Sequence, residues 1–205
     1  MLTSIISFLG ASILLTISPG PDNMYVLVQG ITHGKKAGIT LTIGLVSGII
    51  VHTSLVAFGI SALIQSSSIL YYAIQYFGVF YLLYLAYKVY KSNSKLKIEA
   101  NEIPKMSSTQ LLKRGFLMNV LNPKVTLFFL ALLPGFLWNY EENTVLQFYV
   151  LGGVFIVQAF LIFSTIAWFA DYINQFLTKK NIDFKYFNYL QIVTFISIAV
   201  FILFF

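Results

Sequence analysis

Cysteine is absent, histidine occurs twice, and only 10% of the 205 residues are charged. Without thiols there are no disulfides and no thiolate metal sites. With His33 and His52 as the sole imidazoles, and neither HExxH nor GxSxG present, neither a zinc centre nor a catalytic triad is easily assembled. An aspartyl intramembrane protease needs two carboxylates at depth, and only Asp22 clearly stands inside an apolar run. A metal route would need more ligands than Asp22 and His52 supply. The expectation is a non-enzyme with no cofactor and no metal.

What fills the space is apolar. The chain is 58% hydrophobic, with a mean hydropathy of +0.82, far from the composition of a soluble domain. It reads as an all-α integral membrane protein, a single transmembrane domain over 1–205. Six apolar runs predict six spans, roughly 2–30, 37–64, 69–89, 113–137, 145–170 and 186–205. The N-terminus lacks a basic stretch and a clear cleavage site, so the first run reads as a span and not as a removable signal.

A net charge of +6 raises the question of nucleic acid, but the basic residues lie in loops and on one side. Loop one has Lys35 and Lys36 beside His33; the region around loop three has Lys88, Lys91, Lys95, Lys97, Lys105, Lys113 and Arg114; loop five has Lys179, Lys180 and Lys185. These are twelve of the thirteen lysines and arginines. Loops two and four and both terminal tails have none. The positive-inside rule predicts basic loops in the cytoplasm and both termini outside, in a multi-pass protein of the cell membrane. Trp138 and Tyr140, then Trp168 and Tyr172, fit the two interfacial belts. The partners expected are therefore a lipid bilayer and no nucleic acid.

The polar stretch 91–112, with Pro104 in its middle, reads as a cytoplasmic linker between repeat one (1–90) and repeat two (113–205). Three spans per half force the halves into opposite orientations, which predicts two inverted three-helix repeats. Both first spans are interrupted. Ser18–Asn23 reads SPGPDN, where Pro19 and Pro21 remove amide donors and push the residues before them out of the helical region. The first helix should break near Ser18–Gly20 and restart at Pro21. In the fourth span Asn122 and Pro123 break the run, and Lys124, the one basic residue outside the cytoplasmic set, follows.

Broken backbone at membrane depth must face protein or water, and an intramembrane charge is costly unless it serves transport, proton transfer or pairing. Asp22 at the second position of a restarted half-helix suits the positive end of its dipole; Lys124 in the same place does not. Something anionic should therefore lie beside Lys124, either Asp22 or the carboxylate of a bound substrate. Such a site offers Asp22 to an ammonium, Lys124 with free half-helix amides to a carboxylate, and Ser18, Asn23, Asn119 and Asn122 for orientation, with Gly20 among the substrate-binding candidates. A zwitterionic amino acid fits this better than a sugar, a metal or a lipid. The competing structural reading is a buried Asp22–Lys124 pair that only fixes packing.

Asp22, desolvated and unpaired in one conformation, is a candidate for proton coupling. His52, following the close-packing glycines Gly44 and Gly48, is a second candidate, though a histidine satisfied by a neighbouring helix is as good a reading. Gln158 is open in the same way. Gly30, Gly34 and Gly38 read as the turn of loop one. Tyr72, Tyr76, Tyr84 and Tyr87 read as belt and packing residues, and Asp171 as an interfacial one.

The segments SPGPDNMYVLVQGITHGKKAGITLTIGLVSG and GFLMNVLNPKVTLFFLALLPGF resemble the LysE/RhtB family of amino-acid exporters, and the resemblance covers essentially the whole chain. It implies a permease of the cytoplasmic membrane that expels amino acids, driven by the proton-motive force, with a homodimer expected. Its functional positions would be Ser18, Pro19, Gly20, Pro21 and Asp22, with Asn122, Pro123 and Lys124. Two alternatives stay open: an exporter of another small solute or cation on this scaffold, and a membrane assembly protein that transports nothing.

Overall fold

The structure, a computed structural model, describes residues 1–60, 68–91, 105–170, 172–173, 175 and 185–204. Most of loop two and of the linker, loop five with Lys179 and Lys180, and Asp171 lie outside the described residues. Among those described there is helix and no strand. Helix α1 (Leu2–Ile17) and α2 (Pro21–His33) make the first bent pair; α3 (Lys35–Leu55) runs on through a π turn at Val56–Ile60; α4 spans Ser68–Lys91. Then α5 (Ser108–Val120) and α6 (Pro123–Leu132, extended by a tight turn at Leu133–Phe136) make the second bent pair, followed by α7 (Thr144–Trp168) and α8 (Lys185–Phe204).

Among the described residues, two stretches, Lys35–Gly59 and Thr144–Trp168, are long and apolar enough to cross a membrane singly, and each bent pair passes as one further span. The bends are 60° between α1 and α2 and 50° between α5 and α6. Helices α4 and α8, 24 and 20 residues long, pack along each other. The protein is thus an all-helical, multi-pass membrane protein.

The expected start of the fourth span, near residue 113, is late. Helix α5 begins at Ser108 because Ser107 closes a capping box with Gln110, its hydroxyl accepting from the Gln110 amide while the Gln110 side chain accepts from the Ser107 amide.

Lipid gives no hydrophobic drive between helices, so small residues that allow close approach decide where they cross. A Cβ on Gly44 would strike the Leu112 carbonyl, and one on Gly115 would strike that of Leu41, which makes α3 and α5 the tightest crossing. Gly30 and Gly38 correct the sequence reading. Only Gly34, at φ +82°, serves the turn between α2 and α3, whereas Gly30 and Gly38 seat α2 and α3 against Ala170 and Ala167.

The two ends of the bundle are distinct. At one, the Lys35 ammonium lies 3.6 Å from the centre of the Trp168 ring, joining the turn after α2 to the end of α7. At the other, Tyr72 of α4, Tyr140 and Ile202 of α8 line a common cleft of about 420 Å³. Between them, on the Tyr140 side of the breaks, sits a layer of phenylalanines. Phe8, Phe128, Phe129 and Phe155 have ring centroids 5.1–6.3 Å apart across α1, α6 and α7, and Phe136 joins them through Phe8 and stacks on Phe201 at 5.2 Å.

Candidate functional site: two broken helices and the polar layer between them

Each residue that precedes a proline in the breaks is extended: Ser18 has ψ 119°, Gly20 ψ 178° and Asn122 ψ 106°. Pro21 and Pro123 each take the first position of the new helix, where the missing amide costs nothing. Asp22 and Lys124 follow at the second position, and the backbone therefore places them in corresponding sites of the two breaks.

The main-chain carbonyls stranded at the end of α1 are satisfied by side chains brought from elsewhere. Lys124 Nζ donates to Leu15 O at 3.0 Å and to Ser18 O at 3.1 Å. Asn23 Nδ2 donates to Thr16 O at 2.8 Å. Gln158 of α7 donates through Nε2 to Thr16 Oγ1 at 2.9 Å, and Thr16 Oγ1 in turn donates to Ser12 O at 2.8 Å. The sequence reading sets Lys124 beside Asp22 or a substrate carboxylate; its ammonium instead sits on the negative end of the α1 dipole, and its hydrogen bonds go to carbonyls and not to Asp22.

Asp22 is buried, 7% exposed, and its Oδ2 accepts from Asn122 Nδ2 at 2.8 Å. Asn122 Oδ1 accepts from the Lys124 amide at 3.0 Å and so caps α6. One asparagine thus ties the second break to the carboxylate of the first. The two contacts fix its amide orientation, since a flip would set oxygen against carboxylate and NH₂ against N–H. Asn119 O accepts from His52 Nε2 at 3.0 Å and from the Asn122 amide at 2.9 Å, while the Asn119 side chain lies on Gly48 with no room for a Cβ there.

By contrast, α2 has no side-chain cap. Its N-cap is Gly20, and a Cβ there would stand 3.8 Å from Lys124 Nζ and 3.9 Å from Asn23 Oδ1, ordinary contact distances. Ser18 Oγ, His52 Nδ1, Asn119 Oδ1 and Gln158 Oε1 are buried with no hydrogen-bond partner. Leu121 is 74% exposed, and Pro21 and Pro123 are exposed as well.

All the residues singled out from the sequence, Ser18, Gly20, Asp22, Asn23, Asn119, Asn122, Lys124 and His52, are connected through this layer, and none of them lines the cleft at Tyr140. Sequence reasoning missed Thr16 and the Leu15 carbonyl. Thr16 had a signal: with Ser12 it makes a polar pair four residues apart in the otherwise apolar second half of α1, ending at the break.

Two broken helices that meet in a buried polar layer mark a membrane-embedded, all-helical protein. The LysE type translocator family model matches residues 12–204, and the chain belongs to that family. It is therefore a transporter and not an enzyme. The chain is 30% identical to the leucine efflux protein of Enterobacter sp. (strain 638), over 82% of this chain and 80% of the relative. It is 25% identical to the leucine efflux protein of Salmonella typhimurium (strain LT2), over 86% and 84%. It is also 28% identical to the uncharacterized membrane protein YrhP of Bacillus subtilis, over 89% of each chain. No solved structure matches.

Proposed function

We propose that this protein exports neutral amino acids with apolar side chains across the cytoplasmic membrane, by proton-coupled alternating access. Its six spans form two inverted halves, 1–90 and 113–205, that rock about a site between the breaks. The observation that carries this reading is the reciprocal seating of the breaks: Lys124 of one reaches the carbonyls that end α1, and Asp22 of the other reaches Asn122. The contacts of Lys124, Asp22, His52 and Gln158 in the layer all cross from one half to the other, as a site that opens to alternate sides requires.

The chemistry favours a zwitterion. Asp22 offers a carboxylate for the ammonium, and the uncapped start of α2 beside Lys124 offers donors for the carboxylate. Asp22 is the one buried carboxylate among the described residues, so a cationic side chain would find no second one. The efflux relatives named for leucine support the same class. Basic loops face the cytoplasm and the termini the outside. Leu121 and Pro123 are exposed at the irregular turn of the second break, which suits water or the second subunit of a homodimer over them, because irregular backbone does not face lipid.

The test is efflux of labelled amino acids from vesicles holding the purified protein under an imposed pH gradient. Leucine and its aliphatic neighbours should leave in a gradient-dependent manner, lysine and arginine should not, and Asp22→Asn should cut the flux at least about tenfold while the protein stays folded. Undiminished gradient-driven flux in Asp22→Asn would remove the proton role of Asp22. No movement of any amino acid in either direction would sink the substrate class.

A further inference from the structure

His52 and Gln158 occupy matching places that the carrier reading leaves without a task. His52 stands on α3, the unbroken helix that follows the first bent pair, and its Nε2 donates to the main chain of Asn119, the last residue but one of α5. Gln158 stands on α7, the unbroken helix that follows the second bent pair, and its Nε2 donates to the side chain of Thr16, the last residue but one of α1. Each is buried, 2% and 6% exposed. Each joins the straight helix of one half to the tip of the broken helix of the other.

We propose that His52 and Gln158 are a matched pair of positioning residues, each pinning the end of the opposite half's broken helix so that Asp22 and Lys124 keep their relative placement. Two further observations carry it. First, His52 acts as a donor to a group that only accepts. The route from Asp22 to His52 runs through the Asn122 side-chain amide, then the separate Asn122 main-chain N–H and the Asn119 carbonyl, none of which relays a proton. The matching place in the other half holds glutamine, which does not titrate. Second, the two pins share a packed strut: His52 lies 5.8 Å from the Phe129 ring, Phe129 lies 5.1 Å from Phe155, and Phe155 is one helical turn from Gln158. A shift at one pin is felt at the other through rings in contact.

The inference rests on the carrier reading, so its test has one arm with transport and one without. In vesicles, His52→Gln and Gln158→His keep a donor, whereas His52→Phe and Gln158→Met keep bulk and lose it. The first two should retain Vmax for leucine within about threefold, with the wild-type pH profile in His52→Gln. The second two should lose about tenfold or more in Vmax with apparent KM within about twofold. If His52→Gln falls as far as His52→Phe, or flattens the pH profile, the ring titrates in transport and the inference is overturned.

The second arm uses the absence of native cysteine. Spin labels on Ile17→Cys and Leu121→Cys, both exposed positions at the ends of α1 and α5, report the distance between the two tips in the full-length protein. The distribution should broaden in His52→Phe and Gln158→Met and stay narrow in His52→Gln and Gln158→His. A distribution as narrow in the donor-free variants as in the wild type overturns the inference even if no amino acid is transported; a wild type that transports nothing while the tips respond as expected sinks the carrier reading alone.

Discussion

The two breaks are alike in plan and unlike in finish. Both put a proline at the first position of the second half-helix and a charged residue at the next. The second break supplies its own helix start, with only the end of α5 held from the other half by His52: Asn122 caps α6, accepts in its main chain from Val125 and Thr126, and spares an amide for Asp22. The first borrows its stability. The end of α1 is held by Lys124, Asn23 and Gln158, and α2 starts on a glycine with no side-chain cap. A capped helix start has little to offer a ligand, whereas an uncapped one keeps donors and the positive end of a dipole in hand. On the proposed function, the difference assigns the substrate carboxylate to the Gly20 side and leaves the Asn122 side as the frame.

That contrast can be broken most forcefully at Asn122. Asn122→Ala removes the cap of α6 and the partner of a buried carboxylate together, a loss of about 2 to 4 kcal/mol. Thermal unfolding of the solubilised protein, at one fixed scan rate, should show it as the largest fall of this set, with transport lost as well. Asn23→Ala touches the first break alone and gives up one hydrogen bond to Thr16 O, about 1 kcal/mol; if it costs as much as Asn122→Ala, the frame does not lie on the Asn122 side. Gly20→Ala is the finest probe. Its φ of −167° suits any residue and the new methyl meets nothing closer than 3.8 Å, so stability should move by less than about 0.5 kcal/mol. Apparent KM for leucine should nonetheless rise about tenfold, because the methyl projects into the space beside Lys124. An unchanged KM would mean that substrate does not dock over Gly20.

Much of the frame was legible in the residues. Prolines fix their own φ and bias the residue before them, so both breaks could be placed within a residue or two, and the apolar runs marked where helices lie. What escaped depended on tertiary partners. That Lys124 would choose main-chain carbonyls over Asp22 follows from where the end of α1 lands, which no local pattern encodes. Gly30 and Gly38 looked like turn residues because their spacing brackets Gly34; only the approach of α7 reveals them as packing sites. The capping box at Ser107 and Gln110 was readable and was hidden by the polarity of the stretch before it.

The layer of phenylalanines has an electrical consequence. Phe8, Phe128, Phe129, Phe155, Phe136 and Phe201 form a septum of rings on one side of the polar layer. A transmembrane voltage falls mainly across such an insulating slab, where each elementary charge is worth about 2.3 kcal/mol per 100 mV. A zwitterion crosses it without electrical work, whereas a cation leaving a negative interior must climb the whole drop. On the proposed function, the septum sets where in the protein that drop falls, and the voltage acts on net charge alone, favouring the export of net-neutral cargo before any side chain has been read.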